Sequence, residues 1–214
     1  MTSLSRRAFT TAATAATASL LVSCADRRTD RATTSPSAGD ATPSSPSEPS
    51  AAGAGAGAAR ALGRSVPVRL LIPVIEVDTP VIRLGLAPDG TVEVPPITAH
   101  DRAGWYEHSP TPGQTGPSVI LGHVTVGAYG DGVFRRLDRL RRGERIEARL
   151  ENGTTAEFGV DSVRTIAKAD FPAEEVYGNV DLPALRLVTC GGPRTGDEYR
   201  DNVIVFATLS ATGR

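Results

Sequence analysis

The sequence predicts an all-β domain, a closed or nearly closed barrel of seven or eight short strands with only short helical turns. Three observations predict it. Beyond residue 65 the apolar residues fall in short, β-leaning runs bounded by glycine, proline and asparagine. No long helix and no internal repeat is legible. The strand–helix alternation of a doubly wound sheet is absent, and no glycine-rich phosphate loop follows a strand.

Taken in order, VPVRLLIPVIEVDTPVIRLG holds two runs, 66–72 and 76–84, with Pro73 at the join, where a missing N–H does no harm. Residues 87–90 predict a turn and 91–94 a short strand. SVILGHV, 118–124, is apolar almost throughout and predicts a central strand. ERIEARLE, 144–151, alternates polar and apolar, and the NG at 152–153 turns it into TTAEFGVDSVRTIAKA as a hairpin. DFPAEEVYG, 170–178, predicts one or two helical turns with Asp170 as N-cap and Pro172 near the start. ALRLVTC and NVIVFATLS supply the last two strands.

The first 65 residues are of another kind. Arg6-Arg7 precedes a weakly apolar run, 8–22, too short and too soft to span a bilayer, which takes about 20 apolar residues. SRRAF resembles a twin-arginine export signal. LVSC, ending at Cys24, resembles a lipobox, in which the signal is cut before a cysteine that carries diacylglycerol through its sulfur. Residues 25–65 have almost no large apolar side chain to offset the entropy of ordering them. A tether of about 40 such residues spans roughly 35 Å. The expected organisation is an export signal over 1–24, a linker over 25–65 and a folded domain over 66–210. The protein is then exported to the outer face of the cytoplasmic membrane and held there by lipidated Cys24.

Composition excludes some functions. The net charge is −1, the basic residues form no tract and aromatics are 5%, so a nucleic-acid partner is not expected. Two cysteines, one inside the signal, lack zinc-ligand spacing, and no metal or cofactor is expected. There is no G-x-S-x-G elbow for a serine hydrolase.

Three polar residues stand out. Cys190 is the only cysteine left to the mature chain if lipid takes Cys24, and Gly191-Gly192 behind it predict an uncluttered strand end. It is a buried small hydrophobe or a nucleophile. His123 ends an apolar strand, where an imidazole is a satisfied core residue or has a chemical role. Arg200, ten residues after Cys190, precedes the last strand and returns to the same rim. Cysteine–histidine chemistry needs an imidazole within reach and a donor for the oxyanion, which a guanidinium supplies without titrating. Arg194 competes, but its GGPRTGD setting predicts a solvated loop residue. His100 and His108 lie in loop-like surroundings.

Leu187-Val188-Thr189-Cys190, Gly122-His123 and Arg200 in YRDNVIVFA, in that spatial logic and inside AGWYEHSPTPGQTGPSVILGHV and DGVFRRLDRLRRGERI, resemble the sortases, cysteine transpeptidases of Gram-positive surfaces. The similarity is greatest to the actinobacterial class F and class E branch and spans the whole folded domain. The family signature is Thr-Leu-Thr-Cys; here leucine stands at 187. The resemblance implies an eight-stranded barrel with Cys190, His123 and Arg200 as catalytic residues. It implies cleavage of a Leu-Pro-x-Thr-Gly-like sorting signal near the C-terminus of a secreted protein. A thioacyl enzyme then passes the acyl group to an amine of peptidoglycan or protein. Two other readings stay open: an L,D-transpeptidase-type cysteine enzyme, whose nucleophile motif TCGG does not resemble, and a non-catalytic binding lipoprotein on the same barrel.

Overall fold

The computed structural model describes residues 59–196 and 198–213, with side chains to residue 210. The expected export signal over 1–24, lipidated Cys24 and most of the expected linker lie outside the described residues. Eight strands are described: β1 (Pro67–Ile72), β2 (Val77–Leu84), β3 (Ala103–Tyr106), β4 (Gly116–Leu121), β5 (Arg145–Leu150), β6 (Thr155–Ala167), β7 (Pro183–Thr195) and β8 (Glu198–Gly213). One helix, α1 (Ala173–Tyr177), and five 3-10 turns complete the described elements. They close into a single barrel in the order β1-β2-β3-β4-β7-β8-β6-β5, with β5 hydrogen-bonded back to β1. Pairing is antiparallel except for β2 with β3 and β4 with β7, which are parallel. The expected all-β, eight-stranded closed barrel with short helical turns is therefore the observed fold.

Alternation along each strand sorts side chains to two faces. On β7, Leu185 and Leu187 enter the barrel interior while Val188 joins a second apolar cluster on the outside. On β8, Val203, Val205, Ala207 and Leu209 face in, and Ile204 and Phe206 face out. Trp105, Phe134 and Phe158 fill the interior and are almost fully buried. The outer cluster, Leu84, Val119, Leu121, Val176, Val188 and Ile204, lies between the sheet and two connections. One is the β6–β7 connection that carries α1; the other is the β2–β3 connection, which contributes Val92.

Several expectations need correction. The strand expected at 91–94 is only a single bridge, Leu86 with Val92. AGWY, within the loop-like surroundings of His100 and His108, is β3: it is too short to show alternation, and its parallel partner β2 lies across the long β2–β3 connection. The helix begins at Ala173 with Pro172 as N-cap, and no side chain caps it; the region around Asp170 is a separate 3-10 turn. Most important for the site, β7 does not end at Cys190. It runs on to Thr195, and β8 starts at Glu198, so the expected ten-residue loop is a long ribbon with a bulge between Gly191 and Arg194.

The segment before β1 is engaged with the barrel. Leu62 donates its N–H to the Gly113 carbonyl at 2.8 Å and packs against the core, as do Ala59 and Val66. Ser65 donates its N–H to Thr111 Oγ1 and accepts the Asn152 N–H on its hydroxyl.

Candidate active site

Cys190 is half-buried and unbridged. Its position on β7 gives it the same outward face as Val188, and its cross-strand partner on β8 is Asn202. The strand beside β7 is β4, and two bonds tie their ends together. Gly122 donates its N–H to the Val188 carbonyl at 3.2 Å, and the buried Thr189 hydroxyl donates to the Gly122 carbonyl at 2.7 Å. Glycine is required at 122 because a Cβ there would lie 2.6 Å from the Phe134 ring. These contacts fix where the chain leaves β4, and the next residue is His123.

The half-buried His123 sets Nε2 2.6 Å from the carbonyl oxygen of Pro95, in the β2–β3 connection. A carbonyl only accepts, so Nε2 carries the hydrogen and Nδ1 is the nitrogen left to exchange a proton. His123 and Cys190 line one cavity of about 280 Å³ together with Lys168, Glu198 and Tyr199. Cys190 also borders a second cavity of about 310 Å³, with Phe134, Arg135, Asp138 and Thr189 in the wall. A thiol and an imidazole thus line one opening, an arrangement that can serve acyl transfer through sulfur.

Arg200 stands apart from that pair. It is exposed, lies on β8 opposite the bulge and borders two further cavities, one with Lys168 and Asp201 and one with Lys168, Glu198 and Tyr199. It lines neither cavity that Cys190 lines. It lies two residues along β8 from Asn202, the cross-strand partner of Cys190, and Lys168 and Tyr199 border both a Cys190 cavity and an Arg200 cavity. Among the described residues its side chain makes no ion pair. Gly192 shapes the bulge: its φ is +71°, and a Cβ there would run into the Asp201 side chain. Arg194, expected as a solvated loop residue, is in β7 with its guanidinium 5.3 Å above the Tyr199 ring. His100 stacks on Tyr129 with ring centroids 4.4 Å apart, and His108 meets the edge of Tyr106. Neither histidine borders the Cys190 cavities.

The outer apolar cluster runs from Cys190 toward α1, and two arginines pin that helix. Arg164 pairs with the Glu175 carboxylate, and Arg186 donates Nε–H to the Glu175 carbonyl at 3.2 Å. Both guanidinium groups lie against the Phe206 ring. The hydrogen bond from Arg164 holds the Glu175 carboxyl below the ordinary glutamate range. Burial pushes the Arg186 guanidinium below its usual value, against the opposing pull of Asp161 and Glu175. α1 is thereby held as a wall beside the strip that ends at the thiol.

Sequence reasoning singled out Cys190, His123 and Arg200 but not Pro95, Lys168, Glu198 and Tyr199, which the structure sets beside them. Pro95 acts through a carbonyl, which every residue has, so its identity carries no signal. Lys168 and Glu198 come from opposite ends of two connections and read as ordinary surface charges.

A family model described as the sortase domain matches residues 70–210. No curated protein sequence matches the chain. Among solved structures, sortase C-1 from Actinomyces oris is similar with a TM-score of 0.52 at 19% identity, over 67% of this chain and 74% of that one. Sortase A from Listeria monocytogenes gives 0.53 at 16% identity, over 69% and 89%. A sortase D5 transpeptidase from Clostridium perfringens gives 0.50 at 21% identity, over 68% and 78%. At these identities the likeness establishes the fold, and it extends across several sortase classes alike.

Proposed function

The chain belongs to the sortase family, and we propose that it is a cysteine transpeptidase of exported proteins, with Cys190 as nucleophile, His123 as acid–base and Arg200 as oxyanion partner. The observation that carries the reading is the shared cavity of Cys190 and His123 at the end of an apolar strip. In the forward step the Cys190 thiolate attacks the Thr–Gly carbonyl of a Leu-Pro-x-Thr-Gly-like signal. The C–N bond breaks as His123, protonated on Nδ1, gives that proton to the departing glycine amine. An acceptor amine then attacks the thioacyl carbon, its proton passes to His123, and the C–S bond breaks to return the thiolate. The Pro95 carbonyl supports this cycle because it fixes the ring by Nε2–H and leaves Nδ1 toward the opening for proton exchange. Arg200 reaches the developing oxyanion by swinging across the mouth past Lys168; its lack of an ion pair leaves it able to do so.

The acceptor is an amine of peptidoglycan or of another protein, and the branch is class F or E on the segments around Gly122-His123 and YRDNVIVFA. The chain is exported by the twin-arginine-type signal and anchored by lipid on Cys24, so that the domain sits at the outer face of the cytoplasmic membrane. Mass spectrometry of the N-terminal peptide from native membranes tests the anchor: diacylglyceryl on Cys24 is expected, and an unmodified Cys24 or an uncleaved signal contradicts it. Cleavage of fluorescent sorting peptides tests the reaction. Wild-type chain is expected to release the glycine fragment, with His123→Ala and Arg200→Ala each lowering kcat/KM about a hundredfold or more. Equal rates in either variant would remove that residue from the mechanism.

A further inference from the structure

Of the 23 basic side chains in the sequence, Lys168 alone is a lysine. It opens the β6–β7 connection and borders three cavities: the one lined by Cys190 and His123, and the two lined by Arg200. Glu198 borders two of the three, including that of Cys190 and His123. Lys168 and Glu198 share these openings without pairing with each other, and neither side chain is held by another among the described residues. Several arginines elsewhere on the surface, among them Arg69, Arg135, Arg136, Arg145 and Arg164, are by contrast in ion pairs. A cation and an anion thus face one cavity of about 280 Å³, unpaired, beside the thiol and the imidazole.

We propose that this mouth is the acceptor subsite and that it takes a zwitterionic amine, an amino-acid or short peptide terminus bearing a carboxylate near its amino group. The inference rests on the transpeptidase reading and adds the chemical class of the second substrate. A free amine with an ordinary pKa near or above 8 arrives at neutral pH mostly as ammonium. Glu198 attracts that ammonium and Lys168 takes the carboxylate, which leaves the nitrogen between Glu198 and the thioacyl carbon. One proton passes from the ammonium to Nδ1 of His123, the freed lone pair attacks, the new C–N bond forms, and the C–S bond breaks to give Cys190 thiolate. The second amine proton is lost from the tetrahedral adduct to solvent. Lys168 offers the carboxylate a compact point charge, whereas an arginine would bring a broader planar fork with different hydrogen-bond geometry.

Glycylglycine and glycylglycinamide test the proposal, since their amines are of similar basicity and only the first carries a carboxylate. Because Lys168 is the sole lysine, reductive ¹³C-methylation of the full chain gives one side-chain dimethylammonium resonance, identified by its loss in Lys168→Met. Glycylglycine is expected to shift that resonance saturably and glycylglycinamide far less. In acyl transfer from a sorting peptide, wild-type chain is expected to prefer glycylglycine by about two- to fivefold in kcat/KM, the range of one exposed ion pair. Lys168→Met is expected to erase that ratio, and Lys168→Arg to restore it only partly. Equal shifts, or no shift, or a ratio unchanged in Lys168→Met, would overturn the proposal. The NMR shift does not require turnover. A selective shift without any thioacyl enzyme would retain the binding site and sink the transpeptidase reading, whereas normal transfer without selectivity would do the reverse.

Discussion

At the residue scale, the proposed chemistry turns on a thiol and an imidazole that line one opening at the ends of neighbouring strands. Cys190→Ala is expected to abolish peptide cleavage while moving the unfolding free energy by no more than about 1 kcal/mol, because a half-buried thiol leaves little cavity. A chemical denaturation curve beside the activity assay checks both halves. The Pro95 carbonyl dictates a second outcome: ¹⁵N spectra of neutral His123 are expected to show hydrogen on Nε2. A dominant Nδ1–H form would mean that this hydrogen bond does not govern the ring. Cys190 and His123 were legible in the sequence because a lone thiol before two glycines and an imidazole ending an apolar run are unusual. Arg200 was legible as to its end of the barrel, but its separation from the thiol was not, since the bulge that separates them depends on register.

At the scale of elements, the β4–β7 junction and the β7–β8 ribbon set the geometry. Thr189→Val keeps the side-chain shape and removes the hydroxyl that binds the Gly122 carbonyl. It is expected to cost about 1–3 kcal/mol in a denaturation midpoint, the range for a buried group left unpaired, and to lower kcat more than it raises KM. Gly192→Ala forces a side chain onto a positive φ and into Asp201, so the ribbon must shift; reduced cleavage with a retained fold is expected. The wall helix carries a pH dependence. Glu175 titrates below its ordinary range when folded, so its pairing with Arg164 contributes fully above the unfolded glutamate value and is lost as pH falls through the lowered folded one. Amide exchange in α1 is expected to rise in acid below that range, and Glu175→Gln is expected to flatten the change. Strands β5 and β6 were legible from alternation and the NG turn. β3 was not, because four residues in a parallel pair take their structure from a distant partner. The ribbon was not, because Gly, Pro and Arg in GGPRTG signal a turn locally while cross-strand pairing extends through them.

For the whole molecule, the closed barrel removes free sheet edges and leaves its two connections, β2–β3 and β6–β7, to shape one end. Its opposite side is tied by the segment before β1. Leu62→Ala is expected to lower stability by about 1–2 kcal/mol, since Leu62 is only half-buried against the core, and thermal unfolding reads it directly. Composition made 59–65 look like tether; its few apolar residues nonetheless find the barrel. The central claim is that Cys190 carries an acyl group from a sorting signal. Intact mass of the chain mixed with a Leu-Pro-x-Thr-Gly peptide and quenched in acid tests it most directly. An adduct of the peptide's acyl half is predicted, mapped to Cys190, removed by hydroxylamine and absent from Cys190→Ala. Cleavage without any such adduct, or an adduct that survives in Cys190→Ala, would contradict the account.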